Sequence, residues 1–214
     1  MPPKVHAWRI EAREYARQES RRGRRHAYQE LDPARTALVV IDMVPFFVLA
    51  NDYCRGIVPN INRLAAALRA AGGTVAWVLP GTHGPAEFFG PEAAETSRQS
   101  SGEGPLPDRL WHEFPVEPAD LLVEKTASSA FFPGRCPLPE RLAERDITTV
   151  LIAGTVTNVC CESSARDAST LGYRVVMVAD GNAAMRDQDH NATLHTVYRT
   201  FGDVRSTADI LSLI

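Results

Sequence analysis

Residues Thr148 to Asp167 read TTVLIAGTVTNVCCESSARD, and the change of pattern inside them decides the class of fold. The first half is β-branched and apolar, as a buried strand requires. Gly154 and Thr155 break the run, and Thr157 or Asn158 is placed to cap a helix whose first turn carries Cys160 and Cys161. A cysteine there meets the positive end of the helix dipole and unpaired backbone N–H groups, which predicts a lowered thiol pKa. A strand that feeds a helix of this kind puts a candidate nucleophile at the rim of a sheet.

The flanking sequence repeats the alternation. Upstream, TALVVI (Thr36 to Ile41) is a continuous apolar run suited to a parallel strand covered on both faces, and Asp42 follows it directly. Ile57 to Ala71 carries Ile61, Leu64, Ala65 and Leu68 on one face and stops at Gly72-Gly73, which predicts a crossover helix. Strands are expected over Thr74 to Leu79 and Asp120 to Val123, the latter followed by Glu124 and Lys125, and a short helix over Leu138 to Arg145. Downstream, the Asn158 to Leu171 helix ends at Gly172, and a strand over Arg174 to Ala179 ends at Asp180. A helix over Asp187 to Thr200 and a short edge strand over Asp203 to Arg205 precede the last helix. Pro80 to Pro118 is rich in Gly, Pro and Ser, with Phe88, Phe89, Trp111 and His112 interspersed, and a loop of that length is usually a lid or binding loop.

This alternation predicts an α/β fold: a three-layer αβα, doubly wound, mostly parallel sheet of five or six strands, Rossmann-like in outline. Ligands of such sheets bind beyond the carboxyl ends of the strands. Asp42, Lys125 and Cys160 each fall at such an end, so three reactive groups far apart in sequence are expected to meet on one rim. A carboxylate, an ammonium and a thiol make a nucleophile set for carbonyl-directed chemistry, with the carboxylate as base. The bland alternatives are a helix-capping Asp, a solvated Lys and a packed thiol.

With 214 residues and 44% hydrophobic content, the chain can bury a substantial core as one α/β domain. The formal net charge of -3 gives no general case for nucleic acid or an anionic membrane. No apolar run approaches the ~20 residues of a membrane helix, and the first ten residues lack a signal-peptide apolar region, so a cytoplasmic protein is expected. Cys54, Cys136, Cys160 and Cys161 make neither a disulfide framework nor a zinc motif.

Residues 1–30 hold eight Lys or Arg against four Glu. Trp8, Ala12, Tyr15 and Ala16 recur at helical spacing and predict a short amphipathic helix before the RRGRR run. Such an arm either packs on this subunit or a neighbour, with RRGRR as a solvated linker, or offers a patch for an anionic ligand or nucleic acid.

Three motifs, TALVVIDMVPFF, LLVEKTASSAFF and GTVTNVCCESSARDASTLGYRVVMVADGNAA, resemble in order and spacing the isochorismatase-like cysteine hydrolase superfamily, over about Thr36 to Ile214. The resemblance implies hydrolysis of amide or ureido C–N bonds through a thioester-type intermediate, by a triad that falls on Asp42, Lys125 and Cys160. It also implies a cis peptide between Thr155 and Val156, with the N–H groups of Val156 and Cys160 as oxyanion donors. The chain then divides into a basic arm, residues 1–30, and a hydrolase domain, residues 31–214. Lactam-opening streptothricin hydrolases are one similar branch.

Two departures narrow the expectation. The family's Asp-x-Gln-x-x-Phe motif reads Asp42-Met43-Val44-Pro45-Phe46-Phe47, so the amide is missing at Val44. The Asp-x-His metal ligands of nicotinamidase-like members are absent, with His83 alone in LPGTHGP, so neither metal nor other cofactor is expected. Isochorismatases proper cleave a vinyl ether and lack the cysteine, so Cys160 favours a C–N hydrolase over that alternative or over a scaffold without turnover. Cys161, Ala165 and Ala168 share a face suited to packing, and Asp180 suits helix capping. His83, His112, His190 and His195 have no assigned role. Phe47, Trp111, Phe132 and Asn158 are the expected substrate-binding residues, the substrate being a small molecule. The family also implies a homo-oligomer, dimer or tetramer, with the arm and the Leu194, Val197, Phe201 face of the Asp187 to Thr200 helix at the interface.

Overall fold

In a computed structural model, which describes residues 3–81 and 92–214, the apolar runs become the middle layer of a three-layer fold. Strands β1 (Thr36–Ile41), β2 (Thr74–Pro80), β3 (Leu121–Lys125), β4 (Thr149–Thr155), β5 (Arg174–Ala183) and β6 (Asp203–Arg205) form one sheet in the order β3-β2-β1-β4-β5-β6. Every neighbouring pair is parallel. β1, β2 and β4 are buried along their whole length, the physical reason their sequences are continuous apolar runs rather than alternations. The edge strand β3 alternates and turns Leu121, Val123 and Lys125 inward. Winding reverses between β1 and β4, which opens the ligand crevice of such sheets between Asp42 and the β4 exit. There the backbones come so close that a Cβ on Gly154 would lie 2.2 Å from the Ile41 carbonyl oxygen, and the φ of 115° suits glycine alone.

Helices α2 (Pro45–Ala50), α3 (Asp52–Ala70) and α9 (Thr207–Leu211) cover one face with Val48, Ile57, Ile61, Leu64 and Ile210. On the other lie α6 (Leu138–Ala143), α7 (Glu162–Thr170) and α8 (Asp187–Thr196), which bury Leu138, Ala165, Ala168 and Leu194. Each large apolar side chain so buried contributes about 1.5–3 kcal/mol. The crossover helix α3 starts five residues before its expected first residue, because the Asn51 side chain caps it by accepting from the Tyr53 N–H at 3.0 Å. Asp180, expected at a strand end, lies inside β5, and its Oδ1 accepts from the N–H and the hydroxyl of Thr207, both at 2.7 Å, in the first turn of α9, whose N-cap is Ser206. The segment read as one long loop contains α4 (Ala93–Ser101) and α5 (Leu106–Arg109), while His83, Phe88 and Phe89 lie outside the described residues.

The arm departs from its expected amphipathic form. Its helix α1 (Ala12–Arg22) begins after Trp8, leaves Ala12 and Ala16 exposed, and buries Glu14 and Gln18 instead. Tyr15 packs edge-on against Tyr198, and Gln18 Nε2 donates to the Arg199 carbonyl at 3.4 Å. Trp8 and Tyr15 pack against the core of this chain, while Glu14 and Gln18, which apolar period places outside, are buried as well. Leu194 and Val197, expected at an interface between subunits, are fully buried within this chain. Among the described residues, no helix is long and apolar enough to cross a membrane.

Candidate active site

Asp42 is the first residue past β1, with a φ of 56° that Asp tolerates better than most side chains. Its N–H donates to the Val78 carbonyl at 2.8 Å, which tethers the turn to β2. Lys125, the last residue of β3, reaches inward from the edge: its Nζ lies 2.9 Å from Asp42 Oδ2, 3.6 Å from Cys160 Sγ and 3.1 Å from the Ala127 carbonyl. Asp42 and Lys125 are buried and Cys160 is half-buried. The structure thus brings together the three groups that the sequence places at separate strand ends. Cys161 turns the other way and is fully buried beside Ala165 and Ala168.

The charge state of the thiol differs from expectation. Burial first, and then the Asp42 carboxylate, push the Cys160 thiol up to about 12, against the lowering effect of Lys125. A helix terminus lowers a thiol pKa where solvent is at hand; here desolvation and a hydrogen-bonded carboxylate outweigh it. Asp42 and Lys125 thus pull the thiol in opposite directions, and burial together with the carboxylate prevails. Burial disfavours the Lys125 ammonium, yet Asp42 and Cys160 reverse that and raise its pKa, so the amine stays charged.

Cys160 sits in a π turn (Thr157–Cys161) ahead of α7, not in a capped α-helical turn. The N-cap position is Val156, without a side-chain cap; Thr157 is fully buried, with Oγ1 3.0 Å from His190 Nδ1, and Asn158 is exposed. The Val156 carbonyl accepts from the N–H groups of Val159 at 3.0 Å and Cys161 at 3.3 Å. The Thr155–Val156 peptide is cis.

Of the expected substrate-binding residues, Asn158 and Phe132 are exposed, and Phe47 is half-buried, edge-on to Phe46. Trp111 is buried in the cluster of the α3 face, and its backbone N–H donates to the Met43 carbonyl at 2.9 Å. A lone Trp in a Gly- and Pro-rich segment reads as a loop residue, and only packing shows it anchoring that segment. Val44 is likewise buried, in the cluster of the α3 face. Sequence reasoning missed His6, and it singled out Thr155 and Thr157 without their partners, the Ala183 carbonyl and His190. His190 was one of four histidines without a role, and nothing local marks His6.

Residues 36–209 match the Isochorismatase domain family. The chain belongs to the isochorismatase family. It is 32% identical over 188 residues to the uncharacterized isochorismatase family protein YwoC of Bacillus subtilis (strain 168), covering 86% of this chain and 96% of that one. It is 30% identical over 211 residues to the ureidoacrylate amidohydrolase RutB of Rhizobium rhizogenes, covering 86% and 85%. The crystal structure of a cysteine hydrolase from Pseudomonas syringae pv. phaseolicola 1448A superposes with a TM-score of 0.77 at 27% identity, over 88% of this chain and 96% of that one. This isochorismatase-family hydrolase therefore shares the family's architecture across nearly its whole length.

Proposed function

We propose that this protein is a cysteine-dependent hydrolase of a C–N bond in a small amide, lactam, carbamoyl or ureido compound. The supporting observation is the Lys125 ammonium within 2.9 Å of Asp42 and 3.6 Å of the Cys160 sulfur, all on one rim. Asp42 takes the thiol proton as the sulfur attacks the substrate carbonyl, and Lys125 exchanges the carboxylate for the forming thiolate as its partner. The N–H groups of Val156 and Cys160 receive the oxyanion. Collapse of the adduct expels the amine with the proton from Asp42. Water, deprotonated by the same carboxylate, then cleaves the thioester and regenerates the thiol. Likeness to a ureidoacrylate amidohydrolase puts ureido acids first on the test panel. Release of ammonia or amine from a panel of amides, lactams and ureido acids tests the reading; no release from any of them, or vinyl ether cleavage alone, overturns it.

No metal or other cofactor takes part in this reading, and the partner is a small molecule rather than nucleic acid or membrane. Turnover is expected to survive exhaustive chelation. Loss restored by zinc or manganese would refute this. We infer a cytoplasmic location, which four free thiols support, and a homo-oligomer, dimer or tetramer, of a hydrolase domain over residues 31–214 with the arm over residues 1–30. Light scattering at micromolar concentration is expected to return a multiple of 23.5 kDa, and a monomer mass would refute the assembly.

A further inference from the structure

Beneath the turn that carries Cys160 runs a stack of rings that the triad does not explain. His6 of the arm lies between Tyr53 of α3 and His190 of α8, with ring centroids 3.8 and 4.2 Å away and planes within 9° and 12°. His6 Nε2 accepts the Ala184 N–H at 2.9 Å, so its proton sits on Nδ1 and is donated to Asp187 Oδ1 at 2.6 Å. His190 is wholly buried, and burial first, then His6, bring its pKa down to about 3. Its imidazole is therefore neutral. Its Nδ1 lies 3.0 Å from the Thr157 hydroxyl, a hydrogen bond that joins the ring to the turn in either tautomer.

Thr157 opens the π turn between the two proposed oxyanion donors. Its neighbour Thr155 donates from Oγ1 to the Ala183 carbonyl at 3.2 Å, and Asn51 Nδ2 donates to the Ala184 carbonyl at 2.9 Å. The β5–α8 connection is thus tied to the turn on one side and to the arm on the other. The arm is seated closely: the Lys4 N–H donates to the Asp52 carbonyl at 3.1 Å, and a Cβ on Gly56 would lie 1.7 Å from the Lys4 carbonyl oxygen.

We propose that His190, clamped by His6 of the arm, is a positioning residue for the turn from Val156 to Cys160, so that a docked arm is required for oxyanion stabilisation. This inference rests on the cysteine-hydrolase reading above. The physical reason is that oxyanion donors act by preorganisation: a small misplacement of an N–H removes much of its effect.

A small aldehyde, propionaldehyde, separates this role from mere stability. The Cys160 sulfur adds to the aldehyde carbon, the thiol proton ends on the aldehyde oxygen, and that oxygen occupies the oxyanion site. Iodoacetamide alkylation displaces iodide at a saturated carbon and needs no such donors. Peptide mapping after alkylation, with and without aldehyde, reads both in the intact protein. In Thr157→Val, His190→Leu and Gly56→Val, the aldehyde concentration for half-protection should rise at least about tenfold, with unprotected alkylation within about twofold of wild type. His190→Asn, which keeps an acceptor, should return most of the protection. Thr157→Val is nearly isosteric and decides the matter if His190→Leu does not fold. Wild-type protection in folded Thr157→Val overturns the positioning role, and wild-type protection in Gly56→Val overturns the arm's part in it. Wild-type protein that the aldehyde does not protect, or that is labelled at Cys161 in place of Cys160, overturns the cysteine-hydrolase reading and this inference with it.

Discussion

Replacing Cys160 with alanine is expected to lower turnover by on the order of 10⁴-fold or more, the scale on which hydrolases lose activity with their nucleophile. The sulfur forms the covalent intermediate, and no other described side chain shares its position 3.6 Å from the Lys125 ammonium. Cys160→Ser should fail as well, because a hydroxyl is a far weaker acid than a thiol and gives Asp42 a harder proton to remove. Cys161→Ala is the control. Its sulfur is wholly buried in the core beside Ala165 and Ala168, so it should lose some stability and keep its activity. Steady-state rates on whichever C–N substrate the panel identifies check all three variants. A dead Cys161→Ala beside an active Cys160→Ala would reverse the assignment of the nucleophile.

Asp42→Asn is expected to separate thiol reactivity from catalysis. The Asp42 charge raises the Cys160 pKa, so its removal lowers that pKa from about 12 and enlarges the thiolate fraction at any pH below it. Each unit of decrease gives about tenfold more thiolate. Alkylation by iodoacetamide near pH 8 should therefore accelerate, while hydrolysis collapses because no base remains to take the proton and return it to the leaving nitrogen. Lys125→Met should do the reverse to alkylation, since the ammonium is the group that lowers the thiol pKa. Slower alkylation in Asp42→Asn, or retained hydrolysis, would refute the general-base role. Both variants also break an ion pair of 2.9 Å whose side chains are 1% and 2% exposed. A buried charge left without its partner costs about 3–5 kcal/mol. At about 2–4 °C per kcal/mol for a chain of this length, melting should fall by about 6–20 °C. The double variant Asp42→Asn/Lys125→Met should recover part of that loss, and additive losses would show that the pair is not coupled.

What the sequence determined by itself is whatever short-range pattern encodes. TALVVI and TTVLIA could only be strands buried on both faces, and the ends of such strands lie on one rim of a parallel sheet, so Asp42, Lys125 and Cys160 were legible as a set. The packing role of Cys161 was legible for the same reason, since it follows from helical period, whereas the contact of Asp180 with Thr207 spans 27 residues and is tertiary. Tertiary structure alone decided the rest. The thiol pKa was misread because a helix terminus is visible in sequence, whereas burial beside a carboxylate from a strand far away in the chain is not. The arm was misread in part because Glu14 and Gln18 turn inward, toward Arg199, where apolar period points elsewhere. His6 meets His190 and Asp187 across a sequence distance of more than 180 residues, and no local rule links them. Trp111 was read as a loop residue, and its burial beside the β1 exit, with its backbone N–H on the Met43 carbonyl, is a contact across 68 residues that no local pattern encodes. Local pattern sets which residues reach the rim; desolvation and long-range contacts set what each of them can do there.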